Sequence, residues 1–262
     1  MAIQPREDPV RRALRILSAF SMDQPRMGVS ELARKVGLPK STVHRILRIM
    51  REEGFVQQDG RTQEYRLGVR LFHLGSVVRE QFDLVSAART AMERLRDLVN
   101  ETVNLYVLDG YERVCVQKAE STHSVRQVVS LGQRIPTYCG AAGKVLLAWQ
   151  ESDFIEAVIS STHLKRVTPN TIVDPSAFRQ ALRSIRRVGY GVSQGERDPD
   201  VTAVAAPIFT HDGKVIASLG VSGPRLRLQI TDELVKELIA ASVEISGELG
   251  VVVPSFLDRN TN

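Results

Sequence analysis

At 262 residues the chain is long enough for two domains of ordinary size, each able to bury its own core. Its formal charge of +5 is unevenly placed: residues 1–68 carry 13 of the 35 Lys and Arg against 8 of the 30 Asp and Glu, so the remaining 22 of each sign cancel. Two cysteines without a CxxC or Cys/His cluster argue against a disulfide framework and a zinc site, and no apolar run reaches the ~20 residues that span a bilayer or forms the core of a signal peptide. The expectation is a cytoplasmic chain with no cofactor, no metal and no membrane association, in which a basic module meets phosphate and a neutral module does something else.

In chain order, Val10, Leu14, Ile16 and Leu17 recur at helical spacing within residues 10–19 and predict a first core helix. Residues 29–47 (VSELARKVGLPKSTVHRIL) predict two short helices joined by a tight turn. Ser30 is expected to cap the first, Glu31 to complement its positive end, and Gly37 to stop it. Leu32, Val36 and Leu38 supply its apolar seam, and Ala33 lets the next helix cross closely. Pro39 is expected to open that second helix, whose Val43, Ile46, Leu47 and Met50 face the core. Its other face presents Ser41, Thr42, His44, Arg45 and Arg48, with Lys40 at its start: hydroxyl, imidazole and cationic groups suited to base edges and phosphates in a major groove. A solvated amphipathic helix is the plainer alternative. Residues 55–67 favour the first reading, because two short runs flank Asp59-Gly60, a hairpin signal that makes a wing with Arg61 and Thr62 near its tip.

Residues 69–100 predict helices, with Phe82-Asp83 separating a connector from a longer helix capped by Asp83. Such a connector serves equally as a lever or a strut. Beyond it, residues 102–108 and 112–119 predict a hairpin about Asp109-Gly110, and residues 125–131 a third strand. Residues 143–149 and 153–160 are expected to be helical, as are residues 175–188 behind Asp174-Pro175. Residues 201–209 and 215–222 predict two strands joined by His211-Asp212-Gly213, and residues 231–249 a final helix capped by Thr231. The fold class is α+β.

Cys139, Gly140, Ala141, Ala142 and Gly143 lie where a predicted helix begins, so outward-facing amides and small side chains could receive an anion; close helix–sheet packing explains the same residues. A nucleotide-binding P-loop is excluded, because its first glycine and its Ser/Thr positions are Tyr138 and Val145. Cys139 is also the best nucleophile candidate, should the chain be an enzyme. No general base is indicated beyond His123, the histidine nearest in sequence.

Six separated segments, in order, resemble the IclR family of bacterial transcription regulators: Gly37-Leu38-Pro39-Lys40-Ser41-Thr42 before Arg45, GQRIPTYCGAAGKVLLA over residues 132–148, Thr168-Pro169-Asn170-Thr171, Gly189-Tyr190-Gly191-Val192, Ala205-Ala206-Pro207 and Val221-Ser222-Gly223-Pro224. The resemblance implies an N-terminal winged helix-turn-helix domain (1–68), a linker helix (69–82) and a C-terminal GAF-like effector-binding and oligomerisation domain (83–262). The partners it implies are a double-stranded DNA operator, a small organic-acid effector, and further copies of the chain in a homodimer or homotetramer that represses or activates nearby genes. It places Ser193, Ala203, Gly220 and Ser222 opposite Cys139–Ala142 in the effector pocket. Members that bind small polar keto acids can carry an acidic group, a thiol and a second hydroxyl where this chain has Ser193, Ala203 and Gly220. The smaller residues imply a roomier pocket for a larger carboxylate, aromatic or branched, with Tyr138 or Tyr106 nearby. A constitutive DNA-binding oligomer without an effector is the competing reading.

Overall fold

The computed structural model describes residues 8–21, 24–81, 83–210 and 212–250, with backbone alone at 78–81 and 83. Two compact units fall within residues 1–82 and 83–262.

The first unit opens with α1 (Pro9–Ser18), where Asp8 accepts the Val10 amide at 2.7 Å and Pro9 fills the first turn. Its inward seam is Ala13, Ile16 and Leu17, continued by Phe20. Val10 and Leu14, expected in the core, lie off that seam and are 67% and 58% exposed. Helix α2 (Val29–Val36) begins one residue earlier than expected: extended Gly28 is the cap, its carbonyl accepting the Leu32 amide, so Ser30 lies inside the first turn and caps nothing. Gly37 ends the helix at φ +64°, a left-handed conformation that costs glycine little. Pro39 is the cap residue of α3 (Lys40–Glu52) rather than its first helical residue, and Val43, Ile46, Leu47 and Met50 are all buried.

A three-stranded antiparallel sheet completes this core, ordered β1 (Arg26–Met27), β3 (Tyr65–Leu67), β2 (Val56–Gln58). Strand β1 is too short to carry a periodic signal in sequence. The wing turn also differs from the two-residue type expected. Asp59 accepts the amides of Arg61 and Thr62, and Gln63, not Gly60, takes the positive φ of 59°. An Asx-type cap therefore shapes a longer loop. Helix α4 (Val69–Gln81) ends the unit.

The second unit starts with α5 (Asp83–Val99); the capping side chain expected of Asp83, with Phe82, lies outside the described residues. Six antiparallel strands follow in the spatial order β6 (Arg134–Pro136), β5 (Glu112–Ala119), β4 (Thr102–Asp109), β9 (Val215–Pro224), β8 (Val201–Phe209), β7 (Gly191–Gln194). Residues 125–131, expected as a strand, make no ladder; Gln127 instead offers its carbonyl to the Thr102 hydroxyl at 2.8 Å. Strand β7 arises in the Gly191-Val192 segment and was not anticipated as a strand. A bulge between Leu105 and Tyr106 pairs Leu105 with Gln117 but Tyr106 with Cys115, leaving Val116 over.

Helix α6 (Ala141–Ala148) lies wholly buried on one sheet face, where the Cα of Gly191 approaches Val145 and that of Gly220 approaches Ala142. Helices α5 and α9 (Asp232–Glu248) pack on one another and on the sheet, with Ser246 Oγ accepting the Phe209 amide at 3.1 Å. Thr231 caps α9 through the Leu234 amide, and Asp174 caps α8 (Pro175–Val188) through that of Ala177, both as expected. Helix α7 (Ser152–Thr162) joins α6 to the loop before α8. Of the turn expected at residues 211–213, His211 lies outside the described residues, and Gly213 adopts φ +78°.

Gly143 fixes how closely α6 approaches the rest of the unit, because a Cβ there would collide with the Thr137 carbonyl and the Arg113 guanidinium. Alanine normally gains ~1 kcal/mol over glycine inside a helix. Here the collision with backbone outweighs that gain, and Gly143→Ala is expected to lose about 1–3 kcal/mol in urea unfolding. Gly220→Ala, whose new methyl would meet Ala205, Val204 and Ala142 at 3.6–3.7 Å, is expected to unfold close to the parent midpoint.

Candidate functional site

In the first unit the buried stripe of α3 turns its opposite face to solvent. Lys40, Ser41, His44, Arg45 and Arg48 are exposed, and Thr42 is half-buried. Arg45 makes no hydrogen bond or ion pair among the described residues, while Arg48 lies 4.0 Å from Glu52 one turn on. Arg61 and Thr62 are exposed at the wing tip. Their amides, 2.8 and 3.0 Å from Asp59 Oδ1, fix the loop and hold the Asp59 carboxyl below its usual range. Behind the tip, Arg66 Nε donates to Gln57 and Arg51 Nη1 to Gln58 across the hairpin base. A helix with a free cationic face beside an ordered cationic hairpin has the form needed to enter a groove and grip the flanking backbone.

In the second unit a cavity opens between the sheet and the start of α6. The ladder explains its walls. Ser193 pairs with Ala203 and Ala203 with Ser222, while Asn104 pairs with Gly220, so these positions share one face of the sheet. Gly140, Ala141 and Ala142 close the cavity from α6, and Tyr106, Arg113, Arg197 and Asp198 complete its polar lining. Cys139 is absent from that lining. Its buried Sγ points toward the Pro136 carbonyl, 4.0 Å away, and burial pushes the thiol pKa up despite Arg113, Arg197 and Lys144 nearby. Tyr138 is also turned away, its hydroxyl donating to the Lys165 carbonyl at 3.0 Å, whereas Tyr106 reaches the cavity. His123 lies in a separate surface recess with Glu101 and Arg227, and Cys139 does not line that recess.

Charge at the cavity is arranged in two layers. Behind it, the buried Glu196 carboxylate pairs with Lys144 Nζ and accepts the Gly140 amide at 3.0 Å, so the chain supplies one anion to the start of α6 itself. Lys144 also donates to the Val192 carbonyl at 3.1 Å. The Thr168-Pro169-Asn170-Thr171 segment holds the loop that carries Glu196: Thr168 Oγ1 donates to the carbonyls of Gly195 and Glu196, Thr171 Oγ1 to that of Glu196, and Asn170 to that of Gln194. Facing the cavity are Arg113, 5% exposed, and Arg197, half-buried; Asp198 is the carboxylate in the lining. Arg113 Nη1 donates to the carbonyls of Pro136 (2.6 Å) and Cys139 (2.8 Å), and its guanidinium lies 5.3 Å from the centre of the Tyr106 ring. Burial lowers the Arg113 pKa and pushes the Tyr106 phenol up to about 12.

The sequence reading missed Arg113, Arg197, Asn104 and Glu196. A signal for Arg113 existed, since it shares strand parity with buried Cys115. Glu196-Arg197-Asp198 reads in sequence as a solvated charge run, and only the clamp from Thr168 and Thr171 turns it inward. Among the described residues no group of three His, Cys, Asp or Glu side chains converges as a metal site would require, and no helix is long and apolar enough to cross a membrane.

A winged helix-turn-helix unit joined to an α+β unit with a cavity between its sheet and a buried helix start is the architecture of a DNA-binding transcription regulator. Residues 9–60 match the IclR helix-turn-helix domain, and residues 77–247 match the bacterial transcriptional regulator IclR C-terminal domain. The chain is 34% identical over 245 residues to the HTH-type transcriptional regulator KdgR of Escherichia coli K12, covering 92% of each, and 32% identical over 253 residues to KipR of Bacillus subtilis, covering 95% of this chain and 99% of the relative. An IclR homologue from Microbacterium hydrocarbonoxydans, solved in complex with 4-hydroxybenzoate, superposes with a TM-score of 0.82 at 30% identity, covering 93% of this chain and 99% of that one. The chain belongs to the IclR family of bacterial transcriptional regulators.

The Lys144–Glu196 pair gives a stability prediction. Lys144→Met, which strands a buried carboxylate, is expected to cost about 3–5 kcal/mol in denaturant unfolding. Adding Glu196→Gln should recover most of that loss, because the amide oxygen can still accept from Gly140 while no charge remains.

Proposed function

We propose that this regulator binds a double-stranded operator through α3 and the wing of residues 1–68, as a cytoplasmic homodimer or homotetramer, and that a small organic acid in the 83–262 domain changes its operator affinity through the 69–82 helix. The observation that carries the effector reading is the cavity, built of small residues from α6, β7, β8 and β9 and lined by two arginines against one aspartate. The amides of Ala141 and Ala142 have no hydrogen-bond partner among the described residues, which adds two donors to the same anion-favouring wall. Gly220 and Ala203 leave space that larger side chains would take, in favour of an aromatic or branched acid. The 4-hydroxybenzoate complex of the Microbacterium relative supports that class. No catalytic role is assigned: the family relatives are regulators by name, and Cys139 is buried outside the cavity.

Thermal unfolding with a panel of 4-hydroxybenzoate, benzoate, a branched aliphatic acid, pyruvate and glyoxylate tests the reading. An acid that fits stabilises the protein by about 2.7 kcal/mol at a hundredfold excess over its Kd. Stabilisation by pyruvate or glyoxylate alone overturns the roomy-pocket reading, and no stabilisation by any acid returns the chain to a constitutive DNA-binding oligomer. Coupling to DNA is reciprocal: a tenfold loss of operator affinity, about 1.4 kcal/mol, requires the same tenfold loss of effector affinity on operator DNA.

The DNA contacts separate by their signatures. Arg45→Ala is expected to cost about 1–3 kcal/mol in operator binding and to relax preference at one base pair, as loss of a base contact does. Arg61→Ala is expected to weaken all sequences alike and to reduce the slope of affinity against salt by about one unit, as loss of a phosphate contact does. Electrophoretic shift titrations on operator and scrambled duplexes at several salt concentrations read both.

A further inference from the structure

Arg113 stands out among the buried polar groups of the second unit because no acidic group among the described residues neutralises it. Among the described residues no carboxylate forms an ion pair with it; Glu196, buried at the start of α6, is spent on Lys144 and the Gly140 amide. The charged group nearest to it on the cavity wall is another cation, Arg197, which disfavours its charge. Nη1 is satisfied by two backbone carbonyls, but among the described residues Nε is enclosed with no hydrogen-bond partner. Buried polar groups are nearly always paired, and an orphaned donor on a guanidinium calls for a partner from outside the chain.

The guanidinium is also held in place before any ligand arrives. Two carbonyl bonds fix Nη1, the Tyr106 ring backs the plane, and Gly140 and Gly143 have no Cβ where one would press on the group. Such fixing leaves one edge, Nε with Nη2, in the fork geometry that receives both oxygens of a carboxylate. We propose that Arg113 is the residue that recognises the carboxylate of the effector, through its Nε and Nη2 edge, and that it sets the preference of the cavity for acids over their neutral analogues. The proposal rests on the reading of this cavity as the effector site. It assigns the helix amides of Ala141 and Ala142 a supporting part, and it gives Gly220 and Ala203 the remainder of the ligand.

The test uses the full-length protein and two matched pairs of probes, 4-hydroxybenzoate with 4-hydroxybenzamide and pyruvate with pyruvamide, titrated calorimetrically. The parent protein is expected to prefer the acid of the pair that fits. Arg113→Gln, which keeps a donor for the Pro136 and Cys139 carbonyls, is expected to weaken the acid on the order of a hundredfold while changing the amide by less than threefold. Arg113→Lys, with charge but no fork, is expected to fall between, and Arg197→Gln at the mouth to weaken the acid by less than tenfold. An amide that binds the parent protein as tightly as its acid overturns the proposal without any variant. So does an acid preference that survives in folded Arg113→Gln or Arg113→Lys, and in that case the effector site stands while the assignment of Arg113 falls. Failure of every acid and amide to bind the parent protein removes the effector reading and this proposal together.

Discussion

The second unit is organised around the compensation of charge at the buried start of α6. A helix terminus leaves amides without partners, and burying it against a sheet is tolerable only if something negative or hydrogen-bonding meets them. Glu196 does so at Gly140, Lys144 then balances Glu196, and the whole arrangement depends on a loop that Thr168, Asn170 and Thr171 hold by its carbonyls. The compensation stops there. Arg113, Arg197 and the next two amides face the cavity without it, and a surface left positive inside a folded domain selects for anions by default.

The first unit solves a different problem with fewer residues. Its core is small, so each helix must present a narrow apolar stripe and leave the rest of its surface free. Helix α3 carries four buried side chains at helical spacing and offers its remaining positions to solvent, with the Asx-capped wing ordered beside it. The exposed positions of this helix are therefore separate from those that bear on folding. In the second unit packing and cavity overlap: Arg113 is tied to the Pro136 and Cys139 carbonyls and also lines the cavity.

Much of this was legible in the sequence where periodicity and caps act locally. The helices of residues 29–52, the hairpin at Asp109-Gly110, the caps at Asp174 and Thr231 and the two long strands near the end all follow from neighbouring residues. The errors arose where distant parts of the chain decide. Val10 and Leu14 satisfy a helical count, but the seam of the small core runs through Ile16 and Leu17 instead. Residues 125–131 have the composition of a strand, yet pair with none. The positions Gly140, Ala141, Ala142, Ser193, Ala203, Gly220 and Ser222 line one cavity, carried over from the family pattern rather than from spacing, while Cys139 lies beside it in the core. Arg197 was not legible, because it reads as an ordinary surface cation until the 194–198 loop is folded inward, and for Arg113 the one signal was its strand parity with Cys115.

The bulge at Val116 divides β5 into two lengths with opposite parity. On the turn side Arg113 and Cys115 share the face of Tyr106, whereas beyond the bulge it is Lys118 that lies opposite Asn104. The sheet face that carries the cavity thus takes odd positions of β5 at one end and even positions at the other, and Arg113 is the β5 residue that lines the cavity itself. For comparison among relatives this matters more than the identity of any single residue: a gap placed one position away within residues 112–119 would assign an inward arginine to the outer face, and two chains with the same composition in this strand could present opposite charges to their ligands. The length of the strand on either side of one unpaired valine therefore decides which of its side chains share a face with Asn104 and Tyr106.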